Sequence, residues 1–429
     1  MTAALIVVFV LAYAAIALEE PLKVNKSAAA LIGAGLLWTI YALASGDAAL
    51  VDEELGESLV DTAQIAFFLL GAMTIVEVVD AHDGFDVITS RLRARTLATL
   101  LLFICCVTFF LSAVLDNLTT TIVMISLVKR LLREHDERLV FAGMIVISAN
   151  AGGAWSPMGD VTTTMLWIGG QVTSLAIVTK LIVPSLVNML VPLAVVAYGL
   201  RGKPIVAPDR RAEIGAAGHV TSAFERNLMF ALGLAALLAV PVFKAVTHLP
   251  PFLGILFGLG LLWAIGDRIH REKPFDHRRR VTIANALTRI DMSAITFFIG
   301  ILLAVATLEH SGVLSALAGW LDAEIGRLDI IVVAFGLLSA IVDNVPMVAA
   351  AMGMYDMATY PTDSFLWEFM AYCAGTGGSI LIIGSAAGVA AMGVEKIDFL
   401  WYMRRFAGLA LAGYFAGALV YVAQTSLLS

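Results

Sequence analysis

The stretch Phe109-Phe110-Leu111-Ser112-Ala113-Val114-Leu115-Asp116-Asn117-Leu118-Thr119-Thr120-Thr121 carries an aspartate–asparagine pair in the middle of an apolar run. A second stretch, Gly336-Leu337-Leu338-Ser339-Ala340-Ile341-Val342-Asp343-Asn344-Val345-Pro346-Met347, repeats the arrangement 227 residues later. A carboxylate at membrane depth costs about 2.5–3.5 kcal/mol even on the most lenient insertion scale. Two such groups, placed alike in two halves of one chain, imply a task. Handling a small cation or a proton is the task that suits them.

The surrounding composition supports membrane depth. The chain has 429 residues, of which 60% are hydrophobic and 14% charged, whereas a soluble domain carries about 25% charged residues. A helical span needs roughly 20 apolar residues, and runs of that length recur from Leu5 to Tyr421. The fold class is therefore all-α integral membrane. Spans are predicted near 3–18, 27–45, 63–80, 138–168, 174–199, 227–243, 251–266, 292–308, 365–392 and 400–424. The first lacks a basic leader and reads as a span, not a cleaved signal. Segments 97–132 and 329–357 are too long for one ordinary span and have the Asp-Asn pair near the middle. Each fits a re-entrant hairpin with a polar tip, because Asn and Asp tolerate turn geometry. Irregular backbone at that depth must be buried in protein or face water.

Loop charge sets an orientation. If the acid-rich loop Gly46–Asp61 is outside, 24 of the 27 basic residues fall on the inside, leaving Lys180, Lys244 and Arg327 elsewhere. The inside set includes Lys23 and Lys26, Arg91, Arg93 and Arg95, Arg210 and Arg211, Arg226, and the run Lys273, Arg278, Arg279 and Arg280. This positive-inside bias predicts both termini on the outer, periplasmic side of a bacterial-type inner membrane. It also has the two hairpins enter from opposite faces.

The halves repeat. Phe67-Phe68 recurs as Phe297-Phe298, His82-Asp83-Gly84 loosely as His310-Ser311-Gly312, and Gly152-Gly153 as Gly377-Gly378, with offsets of 230, 228 and 225. The reading is an N-terminal repeat over 1–200, a cytoplasmic linker over 201–226 and a C-terminal repeat over 227–429. Each repeat has five transmembrane helices and one hairpin. Five is odd, so the repeats are inverted, the pattern of secondary transporters. One span per repeat is broken: about 138–168, through Asn150-Ala151-Gly152-Gly153-Ala154-Trp155-Ser156-Pro157-Met158-Gly159-Asp160-Val161-Thr162-Thr163, and about 365–392, through Gly375-Thr376-Gly377-Gly378-Ser379 to Ser385. Gly-Gly and Ser-Pro interrupt a helix, freeing carbonyls and exposing half-helix ends.

These segments are rich in oxygen: Asp116, Asn117, Asn150, Asp160, Thr162, Thr163, Asp343, Asn344, Ser379 and Ser385. Hard cations take oxygen ligands, and no lysine or arginine falls in the central stretches of the four segments. Of these oxygen-bearing residues, Ser385 is a secondary candidate, with Glu77, Ser148, Asp291 and Ser339. Structural roles stay open for each: Asp116, Asp343, Asp160 and Asp291 as helix caps, Asn117 and Asn344 as turn formers, the glycines as packing sites, and Glu77 as a membrane-edge group. His82 and His310 lie near span ends, as interfacial residues or pH-responsive ones. Cys105, Cys106 and Cys373 sit in apolar segments and form neither a disulfide framework nor a zinc site. Basic residues lack aromatic interleaving, which argues against a nucleic-acid partner and leaves lipid.

Leu115-Asp116-Asn117-Leu118-Thr119-Thr120-Thr121, the Asn150–Thr163 string and Asp343-Asn344-Val345-Pro346 together resemble NhaD-type sodium/proton antiporters of the ion transporter superfamily, over about Phe67 to Gly388. The resemblance implies a homodimer, with hairpins and broken helices forming a mobile transport domain against a dimerising scaffold. It implies exchange of Na+ (or Li+) for H+, no cofactor and no enzymatic reaction. The ion-handling positions would be Asp116, Asn117, Asn150, Asp160, Thr162, Thr163, Asp343 and Asn344, with Ser339 and Ser379 matching less securely. Na+ would sit at Asp116, Asn150, Asp160 and Asp343. Gly375 and Ser385 stand where the first repeat has Asn150 and Asp160, so the two half-sites are chemically unequal. Sodium and protons would compete for the same carboxylates. Rival readings are a sodium-coupled anion carrier of the same superfamily, an intramembrane aspartyl protease using a carboxylate dyad, and a passive channel.

Overall fold

A computed structural model describes residues 1–85, 87, 94, 96–205, 221–271 and 281–428. Arg91, Arg93, Arg95, Arg210, Arg211, Lys273, Arg278, Arg279 and Arg280, together with most of the linker expected at 201–226, lie outside the described residues. Among the described residues, eight helices are long and apolar enough to cross a membrane. The chain is a multi-pass membrane protein.

The helices of eight or more residues, in chain order, are α1 (Thr2–Ala17), α2 (Lys26–Ser45), α3 (Ala48–Ala81), α4 (Leu97–Leu115), α5 (Asn117–Leu131), α6 (His135–Ala154), α7 (Val161–Ile168), α8 (Ser174–Gly199) and α9 (Ala223–Thr247). They continue with α10 (Pro251–Ile269), α11 (Met292–His310), α12 (Val313–Glu324), α13 (Leu328–Leu338), α14 (Asn344–Met354), α15 (Phe365–Gly377) and α16 (Ala386–Glu395). The last, α17 (Phe399–Leu427), contains a π-helical turn at Met403–Ala407. Polar residues start most of them. Asn25 accepts from the Ser27 N–H, Asp47 from Ala49 and Leu50, and Asp291 from Ala294. Ser222 and Glu225 form a reciprocal capping box at the start of α9.

The helices fall into two densely packed sets. In one, α1 lies on α2, α2 on α11, α11 on α3, α3 on α10 and α10 on α9. In the other, α4 and α5 pack on α6, α13 on α15, α8 on α17, and α16 on α5 and α6. The sets meet where α14 touches α11 and α12, with thinner contacts between α3 and α7 and between α9 and α4. The centre of the second set is formed by α6 and α15, whose residues from Phe141 to Ala154 and from Leu366 to Gly377 are buried on every face. A helix apolar all round belongs in such a position.

Both central helices end at a glycine-rich break, and the breaks pack alike. A Cβ on Gly152 would lie 2.2 Å from the Phe109 carbonyl oxygen, and one on Gly377 would lie 2.0 Å from that of Gly336. One on Gly159 would meet the Ser112 carbonyl oxygen at 2.6 Å, and one on Gly384 that of Ser339 at 2.6 Å. Only glycine lets the interrupted helix approach the neighbouring helix pair this closely. Ser112 Oγ donates to the Ala149 carbonyl at 2.7 Å, and Ser339 Oγ reaches the Ala374 carbonyl at 3.3 Å.

Two expectations change. Gly46–Asp61 is not a loop: Asp47 caps α3, and the acid-rich residues form the first turns of a single 34-residue helix. Hydropathy locates the edge of the apolar run, whereas Glu, Leu and Ala continue a helix beyond it. Helix α12 was not foreseen, because its twelve residues are too few for a spanning signal. The helix pairs at 97–132 and 329–357 are present, with arms of 19 and 15 residues and of 11 and 11 residues.

Candidate functional site

The N-termini of α5, α7, α14 and α16 face one cavity of about 460 Å³. Each terminus is capped by its own side chain: Asp116 for α5, Asp160 for α7, Asp343 for α14 and Ser385 for α16. The positive ends of these helices partly offset three carboxylates held together. Asp116 accepts the Thr119 N–H at 2.7 Å and the Thr119 hydroxyl at 2.8 Å. Its backbone lies at φ 122°, ψ 160°, a region favoured only by glycine and costing about 1–3 kcal/mol for other residues. Asp343, at φ −46°, carries no such strain.

Asp160 is the centre of the site. Its Oδ1 accepts the Thr162 N–H at 3.1 Å, and its Oδ2 accepts the amides of Asn117 at 2.8 Å and Asn344 at 3.3 Å. The Asn117 amide also reaches Asn150 Oδ1 at 3.0 Å, and Asn150 Nδ2 donates to Ser385 Oγ at 2.8 Å. Both Asp-Asn turns and both broken helices thus contribute to one buried hydrogen-bonded chain. Thr163 and Thr164 hydroxyls donate to the Asp160 carbonyl, each at 2.9 Å, and so fasten the start of α7. One carboxylate surrounded by amides and hydroxyls can hold either a proton or a small hard cation. An amide presents a donor to the bare carboxylate and, turned over, an oxygen to a cation.

Asp343 has a different partner. Its Oδ2 lies 3.1 Å from Lys26 Nζ, and the same ammonium sits 4.6 Å above the Phe297 ring. Lys26 was read as a loop base on the inner side, yet it lines the cavity from the first residue of α2. An ammonium on Asp343 does not fit the expectation of Na+ there in this state. No local pattern marks Lys26; its helix pairs with a residue 317 positions away. The ion pair also borders a second cavity, of about 620 Å³, lined by Tyr13, Glu19, Met392 and Lys396.

Other candidates lie apart from the cluster. Ser379 Oγ donates to the Thr376 carbonyl at 2.6 Å, so its hydroxyl serves its own helix end, while Ser385 takes the inner position. Ser148 Oγ donates to Met144 at 2.8 Å, and Ser339 Oγ to Gly336 at 2.8 Å. Glu77 pairs with Arg289 at 2.7 Å. Asp291 borders the cavity while capping α11. His82 lies 2.8 Å from His270 between Nε2 atoms, and His310 lies 3.1 Å from Ser58 Oγ. No group of three or more His, Cys, Asp or Glu suited to a metal ion occurs among the described residues; Asp160 is met by two amides and a backbone N–H, with Asp116 and Asp343 on the same cavity.

Residues 13–375 match the family described as Citrate transporter. The chain is 47% identical to sodium/proton antiporter 1 of Arabidopsis thaliana, covering 99% of this chain and 73% of that protein. It is 45% identical to sodium/proton antiporter 2 of the same plant, over 97% and 98%. It is 30% identical to the Na(+)/H(+) antiporter NhaD of Vibrio cholerae, over 96% and 89%. The chain belongs to the citrate-transporter family and, within that resemblance, to the NhaD-type sodium/proton antiporters.

Proposed function

We propose that this chain is a secondary transporter that exchanges Na+ (or Li+) for H+ across a membrane, with Asp160 as the carboxylate for which the two ions compete. The observation that carries this reading is the convergence of Asn117 and Asn344 on one oxygen of Asp160. Relatives named as sodium/proton antiporters, from plants and bacteria, support it.

The two amides supply N–H groups to the carboxylate. A sodium ion entering at Oδ2 replaces those donors, and rotation of the amides offers it oxygens instead, with Asn150 and Ser385 completing the oxygen surroundings. A proton on the same oxygen neutralises it without needing ligands. Either ion makes the site neutral, and a neutral site crosses an apolar barrier far more easily than a bare carboxylate. Exchange then follows from competition.

The moving body is the second helix set, sliding against the first. The matched close contacts at Gly152 and Gly377, and at Gly159 and Gly384, support two repeats of one structural unit. The pairing of α1 on α2 with α9 on α10, and of α2 on α11 with α10 on α3, supports the same reading. The odd number of spans per repeat makes the repeats inverted, and the Asp-Asn turns become tips of re-entrant hairpins from opposite faces. For the second hairpin, 11-residue arms of about 16 Å support this. The first has longer arms and reaches the same cavity. Both termini lie outside, the membrane is of the bacterial inner type, and the assembly is a homodimer built on the first helix set.

A sodium-coupled anion carrier is the second reading, favoured by the family's description and by the ammonium of Lys26 in the cavity. That ammonium is already neutralised by Asp343, which leaves no uncompensated cation for a carboxylate substrate. Everted vesicles with a pH-sensitive dye separate the readings. Added Na+ collapses an imposed proton gradient under the antiport reading, and Asp160→Asn abolishes the response. Sodium-dependent uptake of labelled citrate with no sodium-driven proton movement would replace antiport with anion transport.

A further inference from the structure

Lys26 occupies a locally unfavourable place. It is the first residue of α2, where a positive side chain opposes the helix dipole. Its backbone is fixed to the first helix set: its N–H donates to Glu19 Oε1 at 3.1 Å, the next residue's Ser27 Oγ bonds the Ser293 carbonyl at 2.7 Å, and Ser293 Oγ meets Asn25 Oδ1 at 3.2 Å. Asp343 starts α14, which packs on α11 and α12 as well as on α7 and α15 and is tied to the other set through its first residue, Asn344, which bonds Asp160. The ion pair between them, 24% and 15% exposed, is therefore a charge contact that spans the two bodies. It stands between the two cavities, both of which are lined by Lys26 and Asp343.

An exchanger fails if its unloaded form crosses the membrane. The desolvation cost of a bare carboxylate slows an empty anionic site, and a direct tie adds to it. We propose that Lys26 is the coupling residue of the exchange, a tethered cation that holds Asp343 whenever no transported cation neutralises it, and so keeps the unloaded hairpin body from moving. This rests on the antiport reading and on relative movement of the two helix sets. The ammonium competes with mobile cations for the same oxygen, because a carboxylate paired at 3.1 Å presents little attraction to a second positive charge. A transported cation at Asp343, alongside the one held at Asp160, dissolves the tie, and movement becomes permitted. The released ammonium retains Glu19, Asp291 and the Phe297 face beside it, together with space for water in the adjoining cavity. Lys26 thus acts as a lock that only a load opens. It positions the second half-site without being a ligand of the first, where Asp160 gathers its amides.

The test uses the full chain reconstituted in proteoliposomes, with 22Na+ flux and luminal pH read together. In Lys26→Gln, 22Na+/Na+ exchange continues, but net downhill 22Na+ efflux without proton counterflow rises at least tenfold, and the protons moved per sodium fall accordingly. Lys26→Arg restores coupling, since the guanidinium keeps the charge. A Lys26→Gln protein with the wild-type proton-to-sodium ratio would overturn the proposal and leave antiport standing. Loss of both exchange modes in folded Lys26→Gln would also overturn it, assigning the residue to movement or folding. A wild-type protein that moves no protons against sodium would remove the antiport reading itself, and the coupling role with it.

Discussion

Asn117 and Asn344, 227 residues apart in the chain, donate to the same oxygen of Asp160, at 2.8 and 3.3 Å. Two turns from opposite halves of the protein thereby read the state of one carboxylate. Under the proposed exchange, a sodium ion on that oxygen would displace both amides, and so be felt by both turns. This convergence makes Asp160, rather than either of the paired aspartates, the chemical centre of the site.

The two amides are not equivalent. Asn117 makes the shorter contact and also holds Asn150 at 3.0 Å, whereas Asn344 makes one longer bond. Replacing Asn117 with Ala removes two bonds in a buried site, worth about 1–3 kcal/mol each where a partner is left unsatisfied. Asn117→Ala is therefore expected to raise the apparent Km for Na+ at least about tenfold, and Asn344→Ala by a smaller factor, on the scale of 1.4 kcal/mol per decade. Dye-quench assays over a Na+ series in vesicles check the order.

Asp116 separates capping from ion handling. Asn has the shape of Asp and retains the ability to cap a helix, so Asp116→Asn keeps the local structure while removing the charge. The expected result is transport lowered by about tenfold or more with a thermal midpoint within about 1 °C of wild type, the scale of a 1 kcal/mol change in a chain of this length. Wild-type transport in Asp116→Asn would assign the residue to capping alone. Asp116→Gly relieves the positive φ but loses the cap, and should lose transport as well.

Close helix approach depends on Gly152 and Gly377. An added Cβ would collide with the backbone carbonyl of Phe109 or of Gly336, and neither oxygen can move without shifting its helix. Overpacking of a rigid core costs about 1–3 kcal/mol. Gly152→Ala and Gly377→Ala should each lower thermal stability in detergent, while Gly35→Ala, whose Cβ meets nothing within 4 Å, should not. Fluorescence-detected unfolding of the three variants makes the comparison.

Glu395 ties α16 to the first half. Its buried carboxylate meets Arg138 Nε at 2.8 Å, His135 Nδ1 at 3.2 Å and Lys129 Nζ at 3.4 Å. Lys129 also donates to the Val394 carbonyl. Removing the carboxylate strips several charge-assisted bonds, but its basic partners are open enough to regain water. Glu395→Ala should thus cost about 1–3 kcal/mol, more than Lys129→Ala, because the latter leaves Arg138 in place. Chemical unfolding in a mild detergent reads the difference.

Much of this architecture was legible in the sequence because polar punctuation in an apolar chain is conspicuous. Asp116-Asn117 and Asp343-Asn344 mark helix starts, and Gly152-Gly153 and Gly377-Gly378 mark the breaks. The offset of 225 that relates the glycine pairs also aligns Asp160 with Ser385, which is why Ser385 takes the inner position. Ser379 is placed ahead of it in the sequence reading, but a serine just past a helix end returns its hydroxyl to the preceding turn, here to Thr376. Lys26 was illegible for a different reason: a lysine beginning an apolar run has the signature of a membrane-edge anchor, and only tertiary packing brings it to Asp343.

The most direct test of competition at Asp160 is proton release on sodium binding. Purified protein in weakly buffered detergent solution is titrated with NaCl against choline chloride while pH is followed. The account predicts that Na+, and not choline, releases protons from the wild type in proportion to site occupancy, and that Asp160→Asn releases none. Sodium binding with no accompanying proton release, at a pH where the exchanger is active, would contradict it.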